Sequence, residues 1–275
     1  MFTPTDLIVQ FSDDFNKEYP APDYLNITHW TKWQGTVSTA QGQCTFATTP
    51  AGAFGLAGIA TRQKQFNPDL KGTNGVEVTL VDYTQQGPPP KFDPEIASQL
   101  GIGHTIEPLG PHFITGVALT IGDQHGQIGC EPLESRSVQL HFDMISNWGL
   151  EWWLVRSLVP EDFDKYPKWD LKMPSFKTFL NKGPFISEPC LGLAAHHYDP
   201  IEITESPFGH RLGLYLTDDG NTLLWTFDGK VKDSVDITGF FASSPTSLQD
   251  GAHLTVSGVG ICSWTIDDVA IYVSP

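Results

Sequence analysis

Apolar residues recur at every second position through most of the regular parts of this chain. In 75–83, Val76, Val78 and Leu80 alternate with Glu77, Thr79 and Val81. In 115–122, Val117, Leu119 and Ile121 alternate with Gly116, Ala118 and Thr120, which leaves the second face shallow. Successive side chains of an extended chain point to opposite faces, so this period marks strands buried on one side. Further β-type runs are predicted at 6–11, 36–47, 210–231 and 252–273. The run Asp218-Asp219-Gly220-Asn221 divides 210–231 into two strands, because these residue types accept the backbone of a tight hairpin turn.

The segment 137–156 carries the most information. Val138, Leu140 and Phe142 alternate with Ser137, Gln139, His141 and Asp143. After a turn, Leu150, Trp152 and Leu154 alternate with Glu151, Trp153 and Val155. If both apolar sets share one face, residue 143 pairs with 149, 141 with 151 and 139 with 153. Gln139, His141, Asp143, Glu151 and Trp153 then share the opposite face. A slip of one residue would expose Trp152 and Leu154, so the sequence favours this register.

Two stretches break the alternation. Residues 84–113 include three consecutive prolines, Pro88 to Pro90, which cannot donate to a sheet ladder. A long loop is expected there, with one helical turn at 94–100. Residues 157–209 are rich in Pro, Lys and aromatics, including Tyr166, Trp169 and Phe176, with a short helix expected at 174–181. Loops of this length in compact domains are commonly walls or lids of sites. No fixed-period repeat and no alternation of strand and helix is present, which excludes solenoids, propellers and parallel sheets. The expectation is one all-β domain over 1–275, a two-sheet antiparallel sandwich with two loop insertions.

Composition narrows the partners. The formal charge of −16 repels phosphate backbones and anionic lipid, so neither nucleic acid nor membrane is expected as a partner. No apolar run reaches the roughly 18 residues of a membrane span. The N-terminus lacks a basic start followed by an apolar stretch, so a cytoplasmic protein is expected. A leader removed before residue 1 would make it secreted, the alternative to which the sequon Asn26-Ile27-Thr28 points. Cys44, Cys130, Cys190 and Cys262 are widely spaced, without zinc-site spacing, and read as buried thiols; two disulfides are the secreted alternative.

Three features together resemble the concanavalin A-like lectin and glucanase superfamily. They are the opening Phe11-Ser12-Asp13-Asp14-Phe15 followed by Trp30 and Trp33, the stretch from His210 through Asp228-Gly229, and the terminal run from Ser263 to Tyr272. The resemblance spans most of the chain and implies a jelly roll of two curved sheets with a ligand cleft on the concave one. The laminarinase-type hydrolases of that superfamily carry a Glu-x-Asp-x-x-Glu run on a cleft strand. This chain lacks it. The nearest acidic segment, Glu131-Pro132-Leu133-Glu134, has different spacing and contains proline.

His141 and Glu151, as directly opposed residues, form a candidate proton-transfer pair, with Asp143 beside them. Gln139 and Trp153 would orient and stack a ligand. Glu77, Tyr83, Arg211 and Tyr215 also fall on non-core faces by alternation and are expected to line the same concavity. The alternative for all of them is a solvated outer face. His196-His197-Tyr198-Asp199 suggests metal binding, but adjacent histidines on an extended chain diverge and do not chelate one ion. Asp13, Asp14, Asp267 and Asp268 read as turn caps or, if the terminal strands are neighbours, as ligands of a structural calcium. No other cofactor is expected, because phosphate-loop, dinucleotide and nucleophile-elbow motifs are all lacking.

The leading expectation is a cofactor-independent enzyme of lyase, isomerase or cyclase type, acting on a small, largely apolar molecule of secondary metabolism. Two alternatives accompany it. One is a lectin-like carbohydrate-binding protein that uses Trp148, Trp153 or Trp169 as a stacking platform. The other is a divergent glycoside hydrolase that uses Glu77, Asp143 or Glu151.

Overall fold

The computed structural model describes residues 6–17, 19–20, 24–47, 56–85, 116–122, 136–143, 150–156, 192–198, 208–236, 238, 248–259 and 262–275. They form two sheets. The larger has eight strands, running from β13 (Lys230–Asp236) through β12 (Thr222–Phe227), β11 (His210–Thr217), β6 (Asn74–Gln85), β15 (Cys262–Val273) and β4 (Gln43–Ala47) to β3 (Thr36–Ala40). The eighth, β1 (Ile8–Asp13), pairs with β15. The smaller sheet has seven strands, in the order β10 (Gly192–Tyr198), β9 (Leu150–Arg156), β8 (Arg136–Asp143), β7 (Gly116–Gly122), β14 (His253–Val259), β5 (Leu56–Thr61) and β2 (Trp30–Gln34). Every pairing is antiparallel.

Alternation builds the core between the sheets. Val76, Val78, Leu80, Leu212, Leu214, Leu216 and Trp225 of the larger sheet meet Ile59, Leu119, Ile121, Leu254 and Val256 of the smaller in one buried cluster. Each fully buried side chain of this size contributes about 1.5–3 kcal/mol by leaving water. The all-β sandwich expected from the sequence is the fold observed.

Where alternation alone would fail, bulges correct it. On β15, Trp264 and Ile266 are core residues, and so are Val269, Ile271 and Val273, although the two sets differ in parity. The pairing with β6 shifts between Asp267 and Ala270, and Asp268 has φ of 45°. The extra residue turns the strand's second half over.

The hairpin turns follow the predicted chemistry. Thr217 pairs with Thr222 across a loop in which Asp218, Asp219 and Gly220 all have positive φ. The run 36–47 splits into two strands at Gln41-Gly42, which share that conformation. Strands β2, β5, β10 and β13 go beyond the pattern-based expectation. Of these, β10 lies within 157–209, which the sequence marked as irregular. The helices expected at 94–100 and 174–181 fall outside the described residues.

Candidate functional site

Strands β8 and β9 pair in the register that their apolar pattern demands. Phe142 pairs with Leu150, His141 with Glu151, Leu140 with Trp152 and Gln139 with Trp153. Pairing across the smaller sheet extends these into rows. One row runs Ala60, Thr255, Thr120, Gln139, Trp153, His196. The next runs Gly58, Ser257, Ala118, His141, Glu151, Tyr198, and Asp143 pairs with Gly116 in the row beyond.

The first row has three members of known exposure. Ala60, Thr255 and Thr120 alternate with the core residues Ile59, Leu254, Val256, Leu119 and Ile121, so they lie on the face away from the core. Yet they are only 0, 1 and 1 % exposed. The strip over β5, β14 and β7 that leads to Gln139 is therefore sheltered.

The remaining candidates lie elsewhere, which corrects the expectation of one shared concavity. Glu77, Tyr83, Arg211 and Tyr215 belong to β6 and β11 of the larger sheet, not to the sheet of β8 and β9. Tyr83 changes face as well. The register of β6 against β15 skips Val81, and Tyr83 packs against the core.

Glu77, Arg211 and Tyr215 do come together, on the larger sheet's face away from the core. Tyr215 Oη donates to Glu77 Oε1 at 2.8 Å, while Arg211 Nη1 and Tyr272 Oη each lie 3.4 Å from Oε2. Tyr215 fits because its neighbours lack side chains: a Cβ on Gly75 would sit 2.0 Å from its ring and one on Gly213 2.9 Å. Burial, then the Glu77 charge, pushes both the Tyr215 and the Tyr272 hydroxyls above their ordinary values. Glu77 is itself only 6 % exposed, and its contacts tie β11, β6 and β15 together.

The terminal strands are neighbours, as the calcium reading required: Asp13 pairs with Val269. A cleft of about 290 Å³ lies there, and Asp13, Asp14, Asn26, His29, Arg211 and Asp268 are among its walls. The aspartates are engaged in structure. Asp13 accepts from Phe15 N–H and from Trp30 Nε1 at 2.9 and 2.7 Å, Asp14 from Asn16 N–H at 3.1 Å, and Asp267 from Asp268 N–H at 2.8 Å. Among the described residues, no three His, Cys, Asp or Glu side chains group as a metal ion would need. Cys44 is a buried free thiol, and burial, reinforced by the Asp13 charge, raises its pKa. Cys130, Cys190, Trp148 and Trp169 lie outside the described residues.

No family model matches the chain, and no curated protein matches it in sequence. Solved structures do. The endo-1,3-β-glucanase from Streptomyces sioyaensis matches over 100% of this chain and 99% of its own, at 13% identity and a TM-score of 0.50. The fold is that of the concanavalin A-like jelly rolls. The laminarinase from Flavobacterium sp. UMI-01 shares it over 96% of this chain and 100% of its own, at 8% identity and a TM-score of 0.50. So does a point mutant of the non-specific endo-β-1,3(4)-glucanase SCLam, of family GH16, in a crystal with 1,3-β-D-cellobiosyl-glucose at its active site. That match covers 99% of this chain and 96% of SCLam, at 10% identity and a TM-score of 0.50. Among the described residues no helix is long and apolar enough to cross a membrane.

Sequence reasoning missed β10 as part of this jelly roll's smaller sheet. Its signal was weak, because Gly192-Leu193-Ala194-Ala195 carries no period-two pattern.

Proposed function

We propose that this chain is a divergent glycoside hydrolase whose site lies on the outward face of the smaller sheet. The observation that carries the reading is the β8–β9 register. It makes Asp143 and Glu151 diagonal neighbours, since His141 pairs with Glu151 and Asp143 stands two residues further along β8. Diagonal positions across an antiparallel pair lie about 7–8 Å apart. Two carboxyls reaching from such positions span the roughly 5–9.5 Å that glycoside hydrolysis uses. The likeness to glucanases supports the substrate class, a β-linked glucan, in preference to the small apolar molecule that the sequence first suggested.

The roles follow from charge. Protonated His141 opposite Glu151 favours the ionised carboxylate, which suits Glu151 to attack the anomeric carbon or to activate water. Asp143, whose paired neighbour among the described residues is Gly116, is the proton donor to the leaving oxygen. Trp153 offers a ring face to a sugar and Gln139 an amide to its hydroxyls. Glu77, weighed earlier for the same chemistry, drops out because it lies in the other sheet.

Release of reducing ends from laminarin is the measurement. Glu151→Gln and Asp143→Asn should each slow it by at least about a hundredfold, within the usual range for loss of an acid or base. Rates unchanged in both variants would overturn the assignment. Glucan binding by the wild-type protein without turnover would overturn hydrolysis in favour of a lectin-like role.

A further inference from the structure

We infer that the site extends onto β10, where Tyr198 is a positioning residue for Glu151. The consequence for turnover rests on the hydrolase reading above, whereas the juxtaposition does not. Glu151 has two directly paired neighbours, His141 on β8 and Tyr198 on β10. One row thus holds an imidazole, a carboxyl and a phenol on three adjacent strands.

A single irregularity selects the phenol. Gly192 pairs with Arg156 and Leu193 with Val155, and then the register shifts, so that Ala195 pairs with Leu154. Without that shift, continued pairing would bring His197 opposite Glu151 and Ala195 opposite Trp153. With Ala194 as the extra residue, Tyr198 pairs with Glu151 and His196 with Trp153. Bulges beside functional sites commonly re-aim residues in this way.

The chemistry differs from what His197 would give. Directly paired positions lie about 4.5–5.5 Å apart, within reach of a long polar side chain. A phenol can donate to an ionised carboxylate but stays neutral up to a pH of about 10. It therefore favours the anion without adding a second group that titrates near neutrality. A second histidine would add positive charge on acidification and couple Glu151 to two imidazoles. Tyr198 thus leaves His141 as the one neutral-range titrating group directly paired with Glu151.

Two readouts separate this inference from the hydrolase reading. The first needs no substrate: carbon-13 NMR of the Glu151 carboxyl, assigned by its loss in Glu151→Gln. Tyr198→Phe should move its titration midpoint up by about one pH unit, the effect of removing one donor from the anion. Tyr198→Gln, which keeps a donor, should hold it near the wild-type value. The second is the acidic limb of kcat/KM on laminarin, which should move up by a similar amount in Tyr198→Phe. A midpoint unmoved in Tyr198→Phe, in protein whose circular dichroism matches wild type, overturns the role of Tyr198 whatever the turnover. A moved midpoint without laminarin hydrolysis by the wild-type protein upholds the row and overturns the hydrolase.

Discussion

The cluster on the larger sheet shows how single residues share one small space. Tyr215 occupies the room left by Gly75 and Gly213, and its hydroxyl satisfies a nearly buried carboxylate. Thr226 pairs with Gly213, and its Oγ1 is buried without a hydrogen-bond partner among the described residues. A buried hydroxyl left unpaired costs about 1–3 kcal/mol. Thr226→Val keeps the shape and removes the polar atom, so urea unfolding should find the variant more stable by about 1 kcal/mol. A loss of stability would mean that the hydroxyl has a role that its surroundings do not reveal. The sequence identified Arg211 and Tyr215 as residues of one face, because two-residue spacing fixes that. It could not identify Glu77 as their partner, since that contact spans more than 130 positions.

Individual elements carry their own chemistry at the ends. At the turn between β12 and β13, Asp228 and Gly229 both have positive φ. Asp228 accepts the Arg211 N–H at 2.9 Å and faces His210 Nδ1 at 2.6 Å. Partial burial works to raise its carboxyl, but the Arg211 N–H and His210 outweigh it and leave the pKa below the ordinary value. A carboxyl depressed in the folded state stabilises the fold above its unfolded pKa of about 4, and that contribution is lost as the pH falls through the folded value. Acid unfolding of Asp228→Asn should accordingly show a shallower fall in stability below a pH of about 4. Because Asp228 is 46% exposed, the difference should be small. Identical acid profiles would remove Asp228 from the acid response. Turns of this kind were legible in the sequence from Asp-Gly and Asp-Asp-Gly alone. The bulges at Asp268, Val81 and Ala194 were not, since a bulge is defined only against the partner strand that it slips past.

For the whole molecule, the formal charge of −16 is carried by a fold whose described residues pack around an apolar core. Like charges at that density repel through water, and salt shortens their reach from about 30 Å at 0.01 M to about 8 Å at 0.15 M. Thermal unfolding should therefore move to higher temperature as sodium chloride is raised over that range. A transition that stays fixed would mean that the charges are already paired locally. The amino-acid order by itself determined that the chain is β, which residues of β7 and β11, and of β6 as far as its bulge, face inward, and how β8 pairs with β9. Those properties follow from period-two alternation and nearby turns, which act over a few residues. Only the tertiary structure decided that Glu77, Arg211 and Tyr215 lie in a different sheet from His141 and Glu151, and that β10 joins the smaller sheet beside Glu151. Alternation assigns a residue to a face of its own strand, but which sheet that strand enters depends on burying many apolar faces at once.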